Sequence, residues 1–370
     1  MRIAMIGQRG LPATYGGVER HVEELSVRLA ARGHEVVVFC RRNYTDSPVR
    51  RYRGVDLVPV PTLGSKHLEA AMHSGLSALL TLGRGFDIVH FHAVGPGLWT
   101  PIPRWLTRAK VVQTIHGLDQ DRAKWGEFAR QVLRGGDWLS KRVPHAVIVV
   151  GDYLLEHYRD RQGPTKHIPN GVLVSPGRDD QVLDRLGLRA GEYVLFVGRL
   201  IPEKGVEHLI RAYSRVRVRR PLVVVGSSSY TDDYELKLKQ LAHDDPRVLL
   251  PGYIFGDELS SLFAHAEVYV QPSLLEGLPL TVLEALAHGR SVVLSDISAH
   301  REILPVARPG GRLFPAGDID ALTGAIEEAL ATSRNEEEAS RFVGQEIIDR
   351  YQWDAVTDQT EALYSQLLAS

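Results

Sequence analysis

Two carboxylates, an arginine, a lysine and a histidine carry the chemistry legible in this sequence, and four of the five sit beside a glycine. Glu276-Gly277-Leu278-Pro279-Leu280-Thr281-Val282-Leu283-Glu284 leads from a tight turn into a predicted helix that stops at Gly289. Pro279 suits the first helical position, where its missing N–H is no loss, and Gly289 suits a left-handed stop. The amides of Leu280, Thr281 and Val282 are then free at the end of the helix where aligned peptide dipoles favour an anion. Amides for phosphates and carboxylates for hydroxyl groups suit a phosphate-bearing sugar. An ordinary strand, turn and helix with solvated acids has the same sequence.

The stretch Gly198-Arg199-Leu200-Ile201-Pro202-Glu203-Lys204-Gly205 places an arginine and a lysine on one loop. Arg199 can grip a diphosphate as a fork and Lys204 as a point charge, or both can form surface salt bridges. His116-Gly117 and His92 each end an apolar run, which suits either a group facing a ligand or a hydrogen-bonded core histidine. Gly16-Gly17 closes the first loop and lets backbone approach a ligand at a helix start. Arg9, in the same loop, balances a leaving phosphate or faces solvent. The dinucleotide fingerprint G-x-G-x-x-G is missing there, and no acid ends the second strand. The 15 histidines show no H-E-x-x-H spacing, and no aspartate pair is assigned to a diphosphate-bound cation, so no metal is expected.

These residues need strand ends to hold them. Short apolar runs at 3–6, 36–39, 57–60, 88–91, 111–115 and 147–150 read as strands, with helical patterns between most of them. The helix predicted over 18–31 puts Val22, Leu25 and Leu29 on one face and charges on the other. The pattern restarts with strands at 193–197, 222–225, 248–250, 268–270, 291–294 and 311–314, and with a helix over 206–216. Alternating strands and helices imply parallel sheets covered on both faces, with ligands at the carboxyl ends of the strands. Residues 173–190 read as a linker with one short helix at 181–186. The tail from Ser333 is helical, and its last segment has an apolar face to cover.

At 370 residues the chain exceeds one ordinary core, and two doubly wound α/β domains facing across a cleft are expected. Lys plus Arg (44) against Asp plus Glu (45) leaves no overall field for nucleic acid. The lone Cys40 reads as a core residue in a reducing compartment. The sequence shows no signal peptide and no run of the ~20 apolar residues that a spanning helix needs. A cytoplasmic protein is expected, at most touching a membrane surface. Basic residues around Trp105 (Arg104, Arg108, Lys110) suit either anionic lipid or solvated helix ends.

Taken together, the motifs resemble retaining glycosyltransferases of family four, which have the two-domain GT-B fold. The family's E-x7-E element looks like Glu276 through Glu284, and its diphosphate-binding pair looks like Arg199 and Lys204. Its glycine pair looks like Gly16-Gly17, its His-Gly like His116-Gly117, and its interdomain P-N-G-V like residues 169–172. Within the family, R-G-L-P-A-x-Y-G-G and the stretch from His116 to Trp125 resemble a bacterial subgroup that builds capsule, exopolysaccharide or cell-wall glycans. Several of its members are rhamnosyltransferases using dTDP-rhamnose, although Val18-Glu19-Arg20 stands where that subgroup carries Phe-Glu-Thr.

The resemblance implies an acceptor-binding domain over 1–172, joined by helix 353–370, and a nucleotide-sugar domain over 173–352. It implies a nucleotide-diphosphate sugar, with a UDP or dTDP base, as donor. A glycan or lipid-linked saccharide is the implied acceptor, and no metal or other cofactor is needed. Arg199, Lys204 and the amides following Gly277 (Leu278, Leu280, Thr281) would hold the diphosphate. Glu284 would hold the ribose, Glu276 the sugar hydroxyls, Tyr253 and Ile254 the base, and His116 the reacting sugar. Gly16 and Gly17 would belong to the acceptor side. Nucleotide-sugar epimerisation, another GT-B chemistry, or a catalytically silent sugar-nucleotide-binding subunit are the alternatives.

Overall fold

The computed structural model describes residues 1–370 except 15, 45–48, 63–68, 119–125, 178, 229–231 and 305–309, and the side chains of Phe128 and Asp232. The motif residues Tyr15 and 119–125 therefore lie outside the described residues. The chain divides into unit 1, Met1–Gly171 with Trp353–Ser370, and unit 2, Val172–Gln352.

In unit 1 the strands are β1 (Arg2–Ile6), β2 (Glu35–Arg41), β3 (Arg51–Tyr52), β4 (Val55–Val60), β5 (Ile88–His92), β6 (Lys110–Ile115), β7 (Ala146–Val149) and β8 (Thr165–His167). They form one sheet in the order β3-β4-β2-β1-β5-β6-β7-β8. All neighbours are parallel except β3 and β4. β3 and β8 went unread in the sequence because two or three polar-flanked residues carry no periodicity. The helices are α1 (Gly17–Ala31), α2 (Glu69–Leu80), α3 (Pro101–Leu106), α4 (Glu127–Arg142) and α5 (Tyr153–His157), with the C-terminal helix Trp353–Ala369 belonging to the same unit. β-Branched runs such as Val36-Val37-Val38 are buried on both faces, as a covered parallel sheet requires.

α1 departs from its expected pattern. Val22, Leu25 and Leu29 are core, but Glu19, His21, Glu23, Glu24 and Ser26 are buried as well. The predicted solvated face is instead packed. The C-terminal helix covers part of it, with Trp353, Val356, Leu363, Tyr364 and Leu367 sharing one apolar cluster with Val22, Leu25 and Leu29. Each such buried aliphatic or aromatic side chain contributes roughly 1.5–3 kcal/mol.

In unit 2, α6 (Gln181–Leu186) precedes β9 (Val194–Val197), α7 (Val206–Tyr213), β10 (Leu222–Val225), α8 (Asp232–His243), β11 (Val248–Gly252) and α9 (Gly256–His265). There follow β12 (Val268–Gln271), α10 (Leu280–Ala287), β13 (Ser291–Ser295), α11 (Ser298–Ile303), β14 (Gly311–Phe314), α12 (Ile319–Thr332) and α13 (Glu337–Arg350). The C-terminal helix of unit 1 is α14. The six strands are parallel in the order β11-β10-β9-β12-β13-β14. The expected linker is part of this unit, since α6 packs against α9 and the Asp179 amide donates to Ser261 Oγ at 3.1 Å. α7 ends three residues before its predicted end. Past Tyr213 the amides of Arg215 and Val216 bond three residues back rather than four. The Arg247 guanidinium then takes the carbonyls of Tyr213, Val216 and Val218.

In both sheets the first strand lies inside, and the chain then builds outward first to one side and later to the other. The order reverses between β1 and β5 in unit 1 and between β9 and β12 in unit 2. Loops leaving two strands that flank such a reversal diverge, and the gap between them is where open α/β sheets bind ligands.

Candidate active site

In unit 2 the loops leaving β9 and β12 flank the reversal and are stitched together. The Leu274 amide donates to the Glu203 carbonyl at 2.8 Å. Gly205, at φ +67°, lies so close to the other loop that a Cβ there would stand 2.1 Å from the Pro272 carbonyl oxygen. Only glycine allows that approach, and the approach delivers Lys204 to Glu276. Lys204 Nζ donates to Glu276 Oε1 at 2.6 Å, with Lys204 17% and Glu276 9% exposed at the side chain. The sequence reading gave these groups to different parts of a donor; the structure pairs them with each other.

A polar network that the sequence did not reveal supports the pair. Ser273 Oγ and Gln271 Nε2 donate to the same Glu276 oxygen at 2.6 and 3.0 Å. The Tyr269 hydroxyl donates to Gln271 Oε1, and Ser295 Oγ donates to the Ser273 carbonyl. His300 Nδ1 donates to the Ser295 carbonyl at 2.8 Å. Burial alone would raise the Glu276 carboxyl, but Lys204, Ser273 and the nearby His300 together hold it below its usual value. Tyr269 is buried beside both Glu276 and Glu284 and interacts with Thr281, and burial pushes its phenol far up. The two carboxylates and the helix start thus share one buried neighbour.

α10 begins one residue later than expected. Pro279 is its cap, extended at φ −75° and ψ 108°, and its carbonyl takes the amides of Val282 and Leu283 at 3.1 and 3.3 Å. Val282 is therefore not free, and the helix start offers Leu280 and Thr281. Gly289 is left-handed at φ +68°, with Gly289 and Arg290 amides returning to the carbonyls of Leu286 and Ala285, as expected of a glycine stop. Arg199 is half-buried on the β9 loop and Leu278 is buried. The Tyr253 hydroxyl donates to the Ser227 carbonyl at 3.1 Å and its ring stacks on Phe255. Ile254 is only 5% exposed, so little beyond its backbone can face a ligand.

In unit 1, Gly16 caps α1 at φ +104°, and the carboxylate of Glu19 folds back beneath it. Glu19 accepts from the Arg9 amide at 3.3 Å, and Glu23 accepts from the Ala13 amide at 2.5 Å and the Tyr52 hydroxyl at 3.0 Å. The glycine turn therefore carries acids at its base, a setting for hydroxyl groups rather than phosphate.

His92, at the end of β5, and His116, just after β6, lie side by side, with His92 Nδ1 3.3 Å from His116 Nε2. His21 of α1 joins them edge-on, its ring centroid 4.7 Å from that of His116. His21 Nδ1 donates to Asn170 Oδ1 at 2.8 Å, and Trp353 flanks its ring. Behind them His90 stacks on His92 and bonds the Tyr364 hydroxyl and Thr114 Oγ1. Burial, then the neighbouring imidazoles, holds His92 and His116 well below the usual range. Burial likewise lowers His21 to about 4, against the opposing effect of Asn170. All three are neutral at pH 7.

Two family models match this chain: one described as Glycosyltransferase Family 4 over residues 15–176, and one as Glycosyl transferases group 1 over residues 191–332. A phosphatidyl-myo-inositol mannosyltransferase of Mycolicibacterium smegmatis is 28% identical over 98% of this chain and 93% of its own. A sucrose-phosphate synthase from Thermosynechococcus elongatus has the same fold, with a TM-score of 0.83 and 23% identity over 100% of this chain and 99% of its own. So does Anabaena Alr3699/HepE, solved with UDP and glucose, at a TM-score of 0.81 and 18% identity over 99% and 100% of the two chains.

Proposed function

The chain is a family-four glycosyltransferase with the GT-B fold, and from that premise we propose that it moves a sugar from a nucleotide-diphosphate donor to a glycan or lipid-linked acceptor with retention of configuration. The observation that carries this reading is the Lys204–Glu276 pair at the reversal of the unit 2 sheet. An ammonium has three donors, and one spent on Glu276 leaves two for phosphate oxygens. Arg199 on the same loop and the amides of Leu280 and Thr281 complete a cationic, amide-lined cradle for a diphosphate without a metal.

On this reading the main catalytic effect is stabilisation of the departing diphosphate by charges already in place. Glu276, held ionised, accepts from sugar hydroxyls, and Glu284 accepts from the ribose. Tyr253 and the Ile254 backbone frame the base. His116, held neutral, offers a hydrogen bond to the reacting sugar without adding charge. The acceptor belongs to unit 1, where the Gly16-Gly17 turn lies over Glu19. We assign no covalent nucleophile. The first donor to try is dTDP-rhamnose, from the R-G-L-P-A-x-Y-G-G stretch.

Contact with the cytoplasmic face of a membrane is part of the proposal. Among the described residues no helix is long and apolar enough to cross a membrane. Trp105 and Leu106 are 69% and 66% exposed beside Arg104 and Arg108, a composition suited to an anionic surface. The relative from M. smegmatis is named for a lipid acceptor.

The test is a panel of nucleotide sugars mixed with the full chain in chelator, with products followed by NMR. Slow hydrolysis of one donor to the sugar with its original anomeric configuration supports the reading. An epimerised nucleotide sugar, or no response to any donor, contradicts it.

A further inference from the structure

We propose that His21 is a positioning residue for sugar transfer: tied to Asn170 and Trp353, it sets the angle at which His116 meets the reacting sugar. The inference rests on His116 facing that sugar, and it adds a side chain buried out of the sugar's own reach.

His21 braces the neighbouring rings. Its centroid is 4.7 Å from that of His116 with the planes at 79°, and 5.5 Å from that of His92 with the planes at 59°. Rings favour such edge-to-face contact, and in a close-packed interior a displaced ring moves its neighbour. The bond between His92 Nδ1 and His116 Nε2 holds one point of the His116 ring. At 3.3 Å that bond is long, and tilting of the ring about it is what His21 blocks.

The residue type is informative. A ring needed for packing alone would be better supplied by phenylalanine, which has no polar atom to bury. His21 instead carries an Nε2 that is buried and has no hydrogen-bond partner among the described residues. What the imidazole gains is at its other nitrogen, where Nδ1 donates to Oδ1 of the buried Asn170 at 2.8 Å. A ring bonded at one nitrogen has one orientation, whereas a phenyl ring at the same place turns about its own axis.

Both anchors of His21 stand at the borders of unit 1. The chain leaves this unit after Gly171 and returns to it at Trp353. The two ends are pressed together, since a Cβ on Gly171 would stand 2.5 Å from Cγ and Cδ2 of Trp353. Asn170 bonds the His21 ring, and the buried Trp353 ring lies 5.6 Å from it with the planes at 64°. A shift of either end is therefore transmitted through His21 to His116.

The experiment starts from the unaltered full chain, isotopically labelled at the histidine ring nitrogens, whose NMR spectrum at pH 7 reads which nitrogen of each imidazole carries the proton. His21 is expected to carry it on Nδ1, and a proton on Nε2 overturns the inference. His21→Phe and Asn170→Ala are then compared with wild type by the His116 ring signals and by hydrolysis of nucleotide sugars, dTDP-rhamnose first. Expected in both variants are shifted His116 signals and a kcat roughly 10–100-fold below wild type, with donor KM changed less than about threefold. A residue that merely fills the core would lower stability and leave the kcat of the folded molecules unchanged. Unmoved His116 signals, or an unaltered kcat in both variants, overturn the inference and leave the donor reading standing. Full turnover by His116→Gln, or none by wild type, removes the reading of His116 and the inference with it.

Discussion

Lys204 Nζ lies 2.6 Å from Glu276 Oε1, joining the loops that leave the two strands between which the unit 2 sheet reverses. The pair lowers the cost of burying a carboxylate and aims an ammonium at the place where such sheets bind phosphate.

Removing the lysine charge separates these two effects. Lys204→Met leaves the neutral donors Ser273 and Gln271 on Glu276 and removes its ammonium partner. Breaking a fully buried pair costs roughly 3–5 kcal/mol, and the partial exposure of Lys204 brings the expected loss to about 2 kcal/mol. Urea denaturation reads that loss, and Glu276→Gln in the Lys204→Met background should recover most of it. Transfer by either variant should stay about 100-fold or more below wild type. Activity returning with stability in the double variant would mean the pair is structural only.

A pair of glycines isolates the close approach of the two loops. Gly205 and Gly187 share a left-handed backbone, at φ +67° and +65°, but a Cβ at Gly187 would meet nothing within 4 Å. Gly187→Ala should cost about 1 kcal/mol from backbone strain alone. Gly205→Ala should cost more, by denaturation, and should also weaken nucleotide binding because its Cβ displaces the Pro272 loop. Equal effects of the two changes would remove that contact from the account.

Acid should destabilise the chain through His300. Burial lowers this imidazole from the usual 6.5 to about 4. Between those values the unfolded chain binds the proton and the folded chain does not, so stability falls as pH falls from 6.5 to about 4, by up to about 3 kcal/mol. Glu276, whose folded value is depressed, contributes stability that is full above its ordinary value of 4.5 and is lost only as pH falls through the lower folded value. Melting temperature against pH should therefore slope less between 6.5 and 4.5 in His300→Gln than in wild type. An identical slope would mean His300 does not titrate as described.

The tie between α14 and the unit 1 sheet is also measurable. The Tyr364 hydroxyl bonds His90 Nδ1 in the core. Tyr364→Phe leaves that nitrogen unpaired and should cost about 1–3 kcal/mol in denaturant. A change below about 0.5 kcal/mol would mean the bond contributes nothing net.

Sequence reading went far where the signal was local. Strands of consecutive Val, Ile and Leu were placed within a residue or two, because burial on both faces leaves an unbroken apolar run. The glycine stop at Gly289 was legible for the same reason. Less was visible where tertiary contacts decide. The acids of α1 looked solvated, but their partners are loop amides at Arg9 and Ala13, which no helical periodicity announces. Gln271, Ser273 and His300 looked like ordinary polar residues until β12 and β13 placed them under Glu276. His92 and His116 were legible as residues that end apolar runs, but His21 was not, and the three come together only because β1, β5 and β6 are neighbours in the sheet.

The measurement that bears most directly on the account is calorimetric binding of UDP and dTDP to the full chain in chelator, set beside the same titration of Lys204→Met. The account predicts that at least one nucleoside diphosphate binds wild type without added metal, and that the variant binds it about tenfold or more weakly. Absence of binding, or equal binding by the two proteins, would contradict it.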